Sequence, residues 1–293
     1  MSPFRAQRCE ARSGPGADEM SHTLSTSITK THARSTSSFA GRLWDAATDL
    51  VKFAFRTLRE IFKTPWDTEE ISHQLYSIGW RSIPLILVAG VVVGIVLAAL
   101  IWRSLVSVVP VDSVIPAELS RVMFREMGPL MTGLLISGRV GSAIGAELAV
   151  LRLTEQIDAL ESLAIDSFRY LVITRVVACV IALPILTTLM SFAEIAGGFL
   201  WEAANAEMSF QFYSRRVFDK VGWGDYILPT LMTAVSGFVI GTIPSFFGYT
   251  VSENAAGVRR ASTYSVVFSC LLVIAANLIL NQTVLFRFLG DIR

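Results

Sequence analysis

ELAVLRLTEQIDALESLAID, residues Glu147 to Asp166, is a charged stretch set between two strongly apolar regions. Leu151, Ile157, Leu160 and Ala164 recur at helical spacing, with Arg152, Glu155, Asp158 and Glu161 on other faces, so the spacing predicts a helix over about 147–165. Thr154 is a candidate helix-start residue, with Glu155 in the first turn where the helix dipole favours an acid. Asp166 is positioned to cap a following helix that opens at about Ser167. A charged helix cannot lie in hydrocarbon, so this stretch reads as a loop between membrane spans that carries a docking surface. The plainer alternative is a solvated connector that only holds two spans apart.

Composition agrees with a membrane protein. Of the 293 residues, 53% are hydrophobic and 17% charged, and mean hydropathy is +0.55. Soluble domains carry about 25% charged residues. A net charge of +1 gives no support for nucleic-acid binding. Cys9, Cys179 and Cys270 lie far apart, as do His22, His32 and His73, so neither a disulfide framework nor a metal-ligand set follows.

Outward from the charged stretch, residues 1–38 are rich in Ser, Thr, Arg and Gly, lack apolar period and read as a disordered leader. From Phe39 to Lys63, Leu43, Ala47, Leu50, Val51, Ala54, Leu58, Ile61 and Phe62 form one stripe opposite Arg42, Asp45, Asp49, Lys52, Arg56 and Arg59. That pattern predicts a helix lying flat in the membrane interface and ended by Pro65. Five spans are expected at about 83–102, 114–138, 170–198, 226–251 and 261–286, within one membrane domain over 76–290. The first is uncharged between Arg81 and Arg103, with Trp80 and Trp102 as interfacial anchors. Gly90 with Gly94, and Gly237 with Gly241, are candidate close-contact points between helices. Pro184 is expected to kink the third span.

The second span carries Arg125 and Glu126 near membrane depth, where charges are costly unless paired or hydrated and so mark function by default. A bland position at the headgroup level is the alternative. The basic residues of the short loops put the N-terminus and the charged stretch in the cytoplasm and the C-terminus outside. There is no Gly-x-x-x-x-Gly-Lys-Ser/Thr loop and no His-Glu-x-x-His helix, and no base is within sequence reach of Ser142. An enzymatic role finds no residues to carry it.

Several ordered segments carry a family resemblance: FREMGP at 124–129, SGRVGSAI at 137–144, AEL at 146–148 and TEQIDAL at 154–160. Arg169-Tyr170-Leu171, Pro184, Phe247-Gly248-Tyr249 and Gly257-Val258 continue it. The chain from Phe39 to Phe286 thereby resembles the MlaE-type permeases of MCE-associated ABC lipid transporters. The departures are a less Gly-rich turn at Val251 to Ala256 and Ser167 where Pro is common. The resemblance implies an all-α polytopic fold and a homodimer working with a cytoplasmic ABC ATPase, which binds ATP and Mg, and with a periplasmic MCE-domain protein. A small STAS-type accessory protein is a further implied partner. Glu147, Arg152, Thr154, Glu155, Gln156, Asp158 and Asp166 would belong to the coupling helix resting on the ATPase, and Arg125 and Glu126 to the lipid path. Phospholipid would move between the bacterial inner membrane and the carrier, maintaining outer-membrane lipid asymmetry; a plastid inner envelope is the less favoured setting. Two rivals stay open: a proton-coupled secondary transporter using Glu126, and a structural membrane scaffold.

Overall fold

A computed structural model describes residues 39–63, 68–105, 119–164, 166–205, 208–219, 222–251 and 254–290. The expected leader at 1–38 and the first residues of the expected second span, 114–118, lie outside the described residues. Every element is helical, and there is no strand among the described residues. Five helical runs are long and apolar enough to cross a membrane: Thr68–Ser104, Leu119–Leu153, Arg169–Asn205, Tyr226–Tyr249 and Ala255–Gln282. This is an all-α polytopic membrane protein.

The chain divides into two compact units, Met1–Val51 and Lys52–Arg293. Helix α1 is Phe39–Ile61. Within the first unit the Thr48 hydroxyl donates to the Asp45 carbonyl at 2.8 Å. Within the second, Thr57 is fully buried and Phe53 packs on the core, whereas Phe55 and Phe62 are 69% and 80% exposed. Phe53 and Thr57 therefore face protein, while Phe55 on α1 and Phe62 just past its end are open.

Helix α2 (Thr68–Ile78) runs through a short 3₁₀ turn, Trp80–Ser82, into α3 (Ile83–Leu105). The second crossing is interrupted: a π-helical turn at Met123–Met127, α4 (Gly128–Ile136), a second π turn at Ser137–Gly141, then α5 (Ser142–Leu153). The short α6 (Gln156–Ser162) follows. A third π turn, Arg169–Ile173, leads into α7 (Thr174–Asn205), which continues through Pro184. Helices α8 (Phe210–Asp219), α9 (Trp223–Tyr249) and α10 (Ala255–Gly290) complete the fold.

Helix α7 is the centre of the bundle. Of its most apolar stretch 61% is buried, against 22% for the first crossing and 17% for the fifth. An apolar helix without a polar side belongs in such a position. Small residues make the packing close enough to seat it. A Cβ on Gly90 would lie 2.6 Å from the Ala193 Cβ, and one on Gly94 would overlap the Glu194 carbonyl. On the other flank, a Cβ on Gly237 would lie 2.7 Å from the Cys179 carbonyl oxygen and one on Gly241 2.7 Å from the Val176 Cα. Backbone thus meets backbone along both sides of α7, which maximises dispersion contact where lipid offers no hydrophobic driving force. Val88, Val92 and Val96 of α3 and Leu271 and Leu278 of α10 face outward.

Candidate functional site

The charged stretch is not the single helix that its spacing predicts over 147–165. Helix α5 runs on to Leu153, the chain breaks at Thr154 and Glu155, and α6 starts at Gln156. The local chemistry explains the break. The Thr154 hydroxyl donates back to the Val150 carbonyl at 2.9 Å, closing the end of α5 rather than starting a new helix. Glu155 then adopts a left-handed φ of 56°, and Ala164, just past the other end of α6, one of 59°. Each non-glycine residue in that region costs roughly 1–2 kcal/mol, so α6 is a short rigid piece between two strained joints.

Anchorage comes from one apolar and several polar contacts. Ile157 is fully buried in the core, with Leu160 packed beside it. Arg152 donates to Asp158 at 2.9 Å, bracing α6 against α5. Thr154, Glu155, Gln156 and Asp158 remain exposed, and Leu163 is 70% exposed. Asp166 accepts from the Arg169 amide at 3.3 Å, the capping bond that its position predicts. Glu147 differs from the others: its carboxylate accepts at 2.7 Å from Arg175, whose side chain is only 3% exposed. Its role in the structure is to neutralise a buried guanidinium on α7.

A second cluster lies beside α6. The Ser167 hydroxyl donates to Glu161 at 2.7 Å and lies 3.1 Å from the Tyr249 hydroxyl, at the end of α9. Phe168 packs edge-on against Tyr249 and Phe53, with the Arg56 guanidinium over its face at 4.0 Å. Arg169 donates to the Lys63 carbonyl at 2.7 Å. Lys63 in turn donates to Glu60, holding that carboxyl below its usual range. Arg139 donates to the buried Ser82 hydroxyl, joining the second crossing to the turn before α3.

Arg125 and Glu126 do not pair with each other. Adjacent helical residues do not face one another, and the π turn over Met123–Met127 carries both. Arg125 lines a small cleft with Pro129, Pro229, Met232, Asn277 and Asn281. Its Nη2 is buried with no hydrogen-bond acceptor. Glu126 is exposed and accepts from the Asn281 amide at 3.3 Å. Asn281 of α10 thus bonds Glu126 and lines the same cleft as Arg125.

Sequence reasoning passed over Glu194. It lies inside the third crossing, where α7 runs on to Asn205 and leaves Glu194 fully buried, with both carboxylate oxygens lacking a donor. At the far end, Tyr213 of α8 is buried and donates to the Ile195 carbonyl at 3.2 Å; burial, with the Glu202 charge nearby, holds its hydroxyl above the usual phenol range. Arg175 and Ser167 were equally hidden, since their partners lie 28 and 82 positions away.

Five apolar crossings, with an exposed charged helix between the second and third, define a multi-pass membrane protein. The family model described as Permease MlaE matches residues 71–283. A Rickettsia felis protein named "Probable ABC transporter permease protein" is 33% identical over 230 residues, 78% of this chain and 88% of the relative. A Synechocystis relative of the same description is 33% identical over 218 residues, 74% of this chain and 82% of its own length. The Haemophilus influenzae "Intermembrane phospholipid transport system permease protein MlaE" is 33% identical over 217 residues, 71% of this chain and 80% of its length. The chain belongs to the MlaE permease family.

Proposed function

We propose that this chain is the homodimeric permease subunit of an ABC transporter that moves phospholipid, or a related lipid, between a bacterial inner membrane and a periplasmic MCE-domain carrier, and so maintains outer-membrane lipid asymmetry. The observation that carries this reading is α6: a short helix rooted by Ile157, bracketed by strained joints, with Thr154, Glu155, Gln156 and Asp158 open for docking. The relative from Haemophilus influenzae is named for phospholipid transport, which supports the substrate class. In this reading a separate cytoplasmic ATPase binds ATP and Mg and rests on α6, the N-terminus lies in the cytoplasm, and Arg125 and Glu126 border the lipid path. A STAS-type accessory protein fits the same cytoplasmic side.

Charge reversal at Arg152 or Glu155 tests the reading. Each variant should insert in the membrane yet release the ATPase, measured by co-purification from native membranes. Full retention of the ATPase and of its activity in both variants would refute the docking role. A secondary transporter driven through Glu126 would instead keep transporting on a proton gradient with no ATPase present.

A further inference from the structure

We propose that Glu161, Ser167 and Tyr249 form a hydrogen-bonded clasp that ties the movement of α6 to the adjoining end of α9, making Ser167 and Tyr249 positioning residues for energy coupling. The proposal rests on the reading above, in which α6 receives the ATPase.

The three residues come from three elements: the last turn of α6, the residue after the Asp166 cap, and the end of α9. Ser167 is only 2% exposed, so its hydroxyl must be satisfied by protein. Its proton goes to the Glu161 carboxylate at 2.7 Å, and its oxygen is then free to accept from the Tyr249 hydroxyl at 3.1 Å. Tyr249 also lies 3.4 Å from the same carboxylate oxygen. A carboxylate accepts only, so the Ser167 proton goes to Glu161 in a charge-assisted bond, while the single Tyr249 proton is shared between the Ser167 oxygen and the same carboxylate.

The surroundings make this triad a joint rather than a local ornament. Both ends of α6 are left-handed, which leaves the helix a stiff segment on two hinges, seated by Ile157. Among the described residues, its Arg152–Asp158 bond returns only to the neighbouring α5. The clasp reaches further, to α9, whose body packs against α7 through Gly237 and Gly241. Beneath it, Phe168 meets Tyr249 at 6.2 Å between ring centroids and Phe53 at 5.2 Å. A displacement of the end of α6 therefore has a hydrogen-bonded route to the fourth crossing and an aromatic one to α1. The competing view is that Ser167 is a plain helix-start residue whose hydroxyl merely finds the nearest acceptor.

The test compares the intact complex captured through the wild-type chain with Ser167→Ala, Tyr249→Phe, their double variant and Glu161→Gln, which keeps an acceptor for Ser167. In proteoliposomes carrying a fluorescent phospholipid, ATP hydrolysis should stay within roughly two-fold of wild type. Lipid moved per ATP should fall roughly ten-fold in each single variant, as expected for losing a hydrogen bond to a charged group. The double variant should fall no further, and Glu161→Gln should retain most of the transport. Unchanged lipid per ATP in the single variants, or losses that multiply in the double, would overturn the clasp. Amide hydrogen exchange on the chain without ATPase judges it independently. Ser167→Ala should speed exchange in both 156–162 and 246–249 while leaving α3 unchanged; acceleration confined to one of the two segments refutes it. Should no ATPase accompany the wild-type chain, the functional reading fails while the exchange result still decides the clasp.

Discussion

Arg175 and Glu147 meet at 2.7 Å, joining α7 to α5 across the charged end of the bundle. The guanidinium is 3% exposed and the carboxylate side chain 55%, so the pair lies between a surface salt bridge and a buried one. Glu147→Ala should cost about 1–3 kcal/mol, because it leaves a desolvated cation without its counter-charge. Thermal denaturation in detergent measures this. ATPase association should persist, since Glu147 is engaged within the chain. Release of the ATPase with unchanged stability would show Glu147 to be a docking residue.

Gly94 and Gly138 make a matched comparison. A Cβ at Gly94 overlaps the Glu194 carbonyl, whereas one at Gly138 meets nothing within 4 Å. Gly94→Ala should destabilise by about 1–3 kcal/mol, as overpacking against rigid backbone does. Gly138→Ala should stay within about 0.5 kcal/mol of wild type. Equal midpoints of unfolding for the two variants would contradict the close α3–α7 packing.

Ala164 holds a φ of 59° without being glycine. A β-branched side chain is worse there than alanine, so Ala164→Val should cost about 1–2 kcal/mol. Ser162→Val, two positions away on α6, is the control with ordinary helical backbone. Similar denaturation curves for both would mean that the left-handed joint is absent in the protein.

Phe55 on α1 and Phe62 just past its end are open to the surface. If a membrane leaflet covers them, each contributes about 1.5–3 kcal/mol when fully buried. Cysteine introduced by Phe55→Cys in sealed vesicles should resist a membrane-impermeant thiol reagent. After the further change Phe62→Glu it should react readily. Fast labelling of Phe55→Cys alone would place this face in water.

The spans and the first amphipathic helix were legible because they rest on composition and period, which are local. Ile83 to Trp102 announces itself by twenty uncharged positions in a row. The interruptions were not legible. The π turns at Met123–Met127 and Ser137–Gly141 fall on the FREMGP and SGRVGSAI segments, but a π turn has no composition of its own. The break at Glu155 was hidden for a related reason, because left-handed backbone usually advertises itself with glycine, and none is there. Arg125 and Glu126 were found as charges in an apolar setting, yet the cleft that Arg125 lines and the Asn281 bond to Glu126 depend on tertiary packing. Glu161 was visible as a polar position, but its link to Tyr249 spans 88 residues.

The central proposal is that this permease borrows ATP energy from a partner to move phospholipid. The most direct measurement is phospholipid transfer by the complex captured through this chain, reconstituted in proteoliposomes with and without hydrolysable ATP. The account predicts an accompanying ATPase, transfer that requires ATP hydrolysis, and loss of both on charge reversal at Glu155. Transfer that proceeds without ATPase on an imposed proton gradient, and stops on Glu126→Gln, would contradict it.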